Sequence, residues 1–202
     1  MQLSTEQAAK ELGVTARQVR RAASTGAVKA TRFGSSHSVS ARQVQVLART
    51  RHRGRNWSDT TRNSALDLLV SGTTNALRGS ELSRMKHRIR TANVGALAGQ
   101  ILRDRVSLRR ASGVTRGRSF MPKLLAELGL SSGGGLGILV TNDAHRVAKQ
   151  NRLALDDSGD IVIVEGNDKH ASALEVFALY AFGDTRESSA AEQWVKRAQG
   201  RV

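Results

Sequence analysis

Three arginines and a glutamine stand within ten residues, Thr15 to Ser24 (TARQVRRAAS), and they carry the strongest chemical signal in the chain. At about 100° per residue, with Arg17 at zero, Gln18, Arg20 and Arg21 fall at roughly +100°, −60° and +40°. Val19, Ala22 and Ala23 fall at roughly 200°, 140° and 240°, on the other side. A helix over this stretch packs one face and offers the other to an anion. Guanidinium groups hold phosphate as a fork and meet a guanine edge bidentately, and a carboxamide pairs with adenine. The chemistry on offer is the reading of a DNA major groove. The plainer alternative is a solvated arginine-rich face, which is common on helices.

Other chemistry finds less support. The run Ser131 to Gly137 (SSGGGLG) lacks the Lys-Ser/Thr of a phosphate loop and does not fit G-x-G-x-x-G, so it reads as a lead into a strand. His37, His52, His87, His145 and His170 are scattered, without metal-ligand spacing. Met85 reads as core and His87 as surface. Asp156, Asp157 and Asp160 around Gly159 describe a tight turn, since the twelve-residue calcium loop with its closing Glu is missing. No nucleophile elbow is present. The expectation is a binding protein rather than an enzyme, with no cofactor and no metal.

The chain has 202 residues, 32 Lys plus Arg against 17 Asp plus Glu, and a net charge of +15. The excess lies in the first two thirds, and residues 131–202 are mildly acidic. Such a field attracts a polyanion and makes its binding steeply salt-dependent. An anionic membrane competes poorly, because no segment approaches about 18 apolar residues and no basic amphipathic stretch carries a strong aromatic or leucine face. Met1 leads directly into a capped polar helix, and with no cysteine in the chain the expected compartment is the cytoplasm, at the nucleoid. Aromatics are 3% of residues, which argues against stacking platforms for single strands.

The elements that would position the arginines are short. Ser4 and Gln7, then Thr15 and Gln18, have capping-box spacing on either side of Gly13, so two helices meet across a glycine turn. Val28 to Phe33 alternates apolar and polar residues, Gly34 to Ser38 reads as a flexible turn with His37 at its tip, and Val39 follows. This is a hairpin wing, with Lys29, Thr31 and Arg32 near backbone phosphates and Phe33 and Val39 pinning it down. Ser40 and Gln43 repeat the capping spacing before a third helix.

The expected domains are a winged helix-turn-helix over 1–50, a basic linker over 51–56, and a helical and α+β domain over 57–202. The linker reads equally as an arm along a duplex or as a solvated connection. Beyond it the patterns predict helices from Trp57 to Ser71, Ser80 to Arg90, Asn93 to Leu102, Ser119 to Leu128 and Asp143 to Asn151. Strands are predicted at Val106 to Ala111 and Gly137 to Thr141, with a hairpin joining Leu153–Leu155 to Ile161–Glu165. Helices over Ala171 to Phe182 and Thr185 to Arg197 close the chain, the last capped by Asp184 and Glu187. The fold class is mainly α with a small β component (α+β), and the direction of the strands is left open.

Residues 3–48 resemble the compact winged helix-turn-helix of the excisionase and MerR-type class. That resemblance implies base contacts for Arg17, Gln18 and Arg21 and phosphate contacts for Arg20, Lys29 and Arg32. The full candidate DNA-binding set is Thr15, Arg17, Gln18, Arg20, Arg21, Lys29, Thr31, Arg32, Ser36 and His37. The longer layout, with WSDTTRNSALDLLVSG, ELSRMKHRIR and DSGDIVIVEGNDKHASALEVFALYAFGDTRESSAAEQWV, is similar to actinobacterial helix-turn-helix proteins resembling AbiE-type antitoxins. It implies an autoregulating repressor whose partners are double-stranded DNA and a nucleotidyltransferase-like toxin. A phage or plasmid regulator of excisionase type without a toxin, and a nucleic-acid-processing enzyme using the C-terminal domain, are the alternatives. A homodimer on a palindrome and a winged monomer on repeated sites both fit. The acidic final third is expected to add no phosphate affinity and to dock a protein.

Overall fold

Side-chain caps decide where the first helices begin. In the computed structural model, which describes residues 1–26, 28–34, 36–51, 55–111, 122–130 and 136–202, the chain divides into two compact units, Met1–Arg51 and His52–Val202. The fold is mainly α with two small sheets, an α+β architecture.

In the first unit α1 (Thr5–Leu12) starts on Ser4, whose hydroxyl accepts from the Gln7 N–H while the Gln7 side chain accepts from the Ser4 N–H. It stops at Gly13, in the left-handed region at φ 60°. Helix α2 (Ala16–Ser24) repeats the box with Thr15 and Gln18. Then come β2 (Ala30–Phe33), β3 (Ser36–Ser40) and α3 (Ala41–Arg49).

Three expectations need correction in this unit. Gln2–Ser4 forms a strand, β1, antiparallel to β3, so the sheet order is β1-β3-β2; three residues carry too little alternation to announce a strand whose partner lies over thirty positions away. His37 does not sit at the tip, because β3 begins at Ser36 and the ladder pairs His37 with Arg32 and Ser36 with Phe33. Ser40 makes no side-chain cap. With its amide oriented by hydrogen-bond complementarity, Gln43 instead donates to the Lys29 carbonyl (3.0 Å) and accepts from the Lys29 N–H (3.2 Å), a partner that no local spacing discloses. The core is Ala8, Ala9, Val19, Val28, Val39 and Val44, ringed by half-buried Leu3, Leu12 and Leu47. The Phe33 side chain and Ser35 lie outside the described residues.

The second unit is built around α9 (Ala171–Phe182), which is apolar on almost every side and therefore must be central. Around it lie α4 (Asp59–Ser71), α6 (Val94–Ile101) and α10 (Thr185–Arg201), and α5 (Gly79–Thr91) packs on α4 and α10. The α10 start carries the expected Asp184–Glu187 capping box. The Gln199 amide donates to the Ile89 and Ala92 carbonyls at 2.6 and 2.8 Å, tying α10 to the end of α5. Among the described residues no helix is long and apolar enough to cross a membrane.

The sheet of this unit contains β4 (Val106–Arg110), β5 (Gly137–Thr141), β6 (Ala154–Leu155) and β7 (Ile161–Glu165) in the order β5-β7-β4-β6. It is mixed: β5 and β7 are parallel, and β4 runs antiparallel to both β7 and β6. The expected hairpin between Leu153–Leu155 and Ile161–Glu165 is therefore not one, since β4 lies between its arms. The turn at 156–160 crosses β4 so closely that a Cβ on Gly159 would fall on the Arg109 carbonyl, which explains the glycine. Residues 161–164 are buried on both faces. Ile161 and Ile163 meet Ala148 of α8 (Ala144–Gln150), leaving Val162 and Val164 for the face that α9 covers. Helix α7 (Pro122–Glu127) is shorter than expected within the described residues; 119–121 and the glycine run at 131–135 lie outside them.

Candidate nucleic-acid interface

Helix α2 separates its faces as its sequence requires. Val19 is 2% exposed in the core, whereas Arg17, Gln18, Arg20 and Arg21 are all exposed. Ala22 and Ala23 are half-buried beside Val19. Among the described residues, no carboxylate lies within ion-pairing distance of Arg17, Arg20 or Arg21. Glu6 is the acidic group whose charge Arg20 feels. Its carboxyl is held below the usual range first by a backbone hydrogen bond at the start of α1, then by the Thr5 and Ser4 hydroxyls, with Arg20 contributing least.

The first turn of α2 holds no acidic residue. Cations there face the positive end of the helix dipole, so the site is electrostatically short of an anion. Thr15 and Gln18 are exposed but already employed. The Gln18 Oε1 accepts from the Thr15 N–H at 2.9 Å and from its hydroxyl at 3.1 Å, and the Thr15 Oγ1 accepts from the Gln18 N–H at 3.3 Å. Bidentate reading of adenine by Gln18 would give up the two bonds to its oxygen.

On the hairpin, Lys29, Thr31, Arg32 and Ser36 are exposed and His37 is half-buried. Arg32 Nε donates to the Gly34 carbonyl at 2.9 Å, holding the guanidinium near the hairpin end, where Gly34 takes φ 60°. Gln43 is the residue that local reading missed: it braces the backbone of Lys29 from α3, and only its distance in sequence hid it. Arg51, expected in the linker, donates from Nη1 to the Leu12 carbonyl at 3.0 Å and closes the end of α1. His52, Arg53 and Gly54 lie outside the described residues.

A metal constellation does not assemble among the described residues. No group of three or more His, Asp or Glu side chains there is placed to hold an ion. His170 is 3% exposed and its Nε2 lies 2.8 Å from Asp67 Oδ1, beside Lys169 at 2.5 Å. Burial raises the Asp67 carboxyl, but hydrogen bonds from Lys169, His170 and Thr74 outweigh it and leave the group below its ordinary value. This cluster joins α4 to the short 3-10 turn at Asp168–His170. Compared with protein-family models, with curated proteins and with solved structures, the chain matches none.

Proposed function

We propose that the first unit binds double-stranded DNA sequence-specifically, with α2 in the major groove and the β2–β3 hairpin on the backbone, and that the chain is a transcriptional repressor. One observation carries this reading: Arg17, Arg20 and Arg21 stand exposed and, among the described residues, without ion-pair partners on the second helix of a helix–turn–helix, while Val19 opposite anchors that helix in the core. Guanidinium forks without carboxylate partners suit phosphate and guanine. In this reading Arg17 and Arg21 meet bases, and Arg20, Lys29 and Arg32 meet phosphates.

The test is operator selection from a random duplex pool with the full chain, followed by anisotropy titrations at several salt concentrations. Arg17→Ala and Arg21→Ala should each cost roughly 1–3 kcal/mol of affinity and relax preference at one position. Lys29→Ala should weaken all sequences alike and lower the salt slope by about one. Unchanged affinity and preference in both α2 variants would refute the groove assignment. The narrower role implied by the resemblance, an autoregulating antitoxin, adds a nucleotidyltransferase-like toxin as partner of the second unit. Growth rescue on co-expression with a neighbouring toxin gene tests that role, and absence of rescue leaves the plain repressor.

A further inference from the structure

The second unit holds a concavity of about 380 Å³ beside α8 and the β4–β6 edge of the sheet. Its floor is apolar, made by Ala148, Leu153 and Ala154. Arg109, His145, Lys149 and Arg152 also line it, and among the described residues no acidic side chain does. These residues come from separate segments. His145 and Lys149 stand one turn apart on one face of α8. Arg109 comes from β4, where side chains alternate, so its neighbour Arg110 is directed elsewhere and is bound by Asp156 (2.6 Å) and Ser158 (2.9 Å). Among the described residues Arg109, Lys149 and Arg152 enter no ion pair; Arg109 has only a long contact, 3.5 Å, to the Ser107 hydroxyl.

Arg152 adds an independent observation. It follows α8 in the left-handed region at φ 52°, with its N–H on the Lys149 carbonyl and the Leu153 N–H on the Ala148 carbonyl. Glycine is the favoured residue at this helix-ending position, and any other L-residue is carried there at a conformational cost. The other described non-glycine residue in this region, Asp104, belongs to a type that tolerates it. An arginine held against its backbone preference at the edge of a cationic concavity points to work for its side chain.

We propose that this concavity binds a phosphomonoester bearing a flat, weakly polar group, the chemistry of a mononucleotide. The phosphate would lie on Arg109, Lys149 and Arg152 and the flat group on the apolar floor. The volume is in the range of small-ligand sites, and guanidinium and ammonium groups that enter no ion pair among the described residues suit a dianion. Nucleic-acid phosphate is the other source of the same chemistry, but a duplex carries its phosphates on a convex ridge and would leave the floor uncovered. The proposal rests on no part of the duplex reading of the first unit.

The test is calorimetric titration of the full chain with the four ribonucleoside 5′-monophosphates, inorganic phosphate and a short duplex at matched ionic strength. At least one mononucleotide should bind more tightly than inorganic phosphate. Arg109→Ala and Lys149→Ala should each weaken it roughly tenfold, and Arg17→Ala should leave it unchanged. Arg152→Gly separates binding from folding, since it should weaken the mononucleotide while raising the thermal midpoint. The proposal is overturned if no mononucleotide binds better than inorganic phosphate, or if the three rim variants keep the parent affinity. It also fails if those variants weaken only the duplex, which would assign the rim to nucleic-acid backbone.

Discussion

The arginines of α2 and four of those in the second unit are the same residue type put to opposite uses. On α2 the guanidinium groups face solvent without ion-pair partners among the described residues, and Arg17 stands in a first turn whose dipole repels it. In the second unit Arg62 is 12% exposed and donates to the Trp57 and Arg103 carbonyls at 3.1 and 2.6 Å. Arg105 binds Asp59 and Asn63, Arg90 binds the Val202 main-chain oxygen, and Arg88 lies 4.9 Å over the Trp57 ring. Net charge counts all of these alike. What separates them is whether neighbouring carbonyls, carboxylates and rings already take up the guanidinium donors, because a guanidinium so committed has less to give a ligand.

Removing a committed arginine should give the largest effect on folding. Arg62→Ala deprives two carbonyls of a charged donor and should lower stability by about 3 kcal/mol in urea denaturation, and should leave the proposed DNA affinity per folded molecule unchanged. A loss of stability under about 0.5 kcal/mol would place Arg62 with the surface arginines instead. The Arg110–Asp156 pair should be felt next. The Arg110 guanidinium, helped by the Ser158 hydroxyl and N–H, holds the Asp156 carboxyl well below its ordinary value of 3.8. A depressed carboxylate stabilises the fold above its unfolded value, and that contribution is lost as pH falls from there toward the folded value. Asp156→Asn should therefore lower stability most at neutral pH, converge with the parent as pH falls below about 5, and so flatten the acid limb of the stability–pH curve. A parallel acid limb in the variant would sink this account. The smallest effect belongs to α2. Arg17→Ala, which weakens DNA binding in the proposed function, should raise stability by a few tenths of a kcal/mol, because it removes a cation from a helix N-terminus. A fall in the thermal midpoint would mean that Arg17 has a structural partner.

Local chemistry was legible along the chain. The Ser4–Gln7, Thr15–Gln18 and Asp184–Glu187 pairs act within one turn, so their spacing alone announced three helix starts. Met85 is buried and His87 exposed, as the apolar line of their helix requires. The same rule failed at Ser40 and Gln43, where a distant backbone, that of Lys29, competed for the amide. Strand pairing was illegible for a related reason. Both arms of the expected hairpin exist, but β4, from about fifty residues earlier, offered a better ladder to each. Charge averaged over a segment also misled. The final third is mildly acidic, yet it supplies His145, Lys149 and Arg152 to a concavity that no acidic residue lines among the described residues.

By itself the amino-acid sequence determined what depends on neighbours within a turn or two: where helices start, which side of α2 is apolar, and that three arginines share the other side. Only the tertiary structure decided which strands pair, which arginines are already bound, and that Arg109 joins residues of α8 around one concavity. The physical reason is reach. Caps and helix faces are set by bonds spanning three or four residues, whereas ladders, ion pairs and cavities depend on which distant segments the buried Val, Ile and Leu of the core bring together.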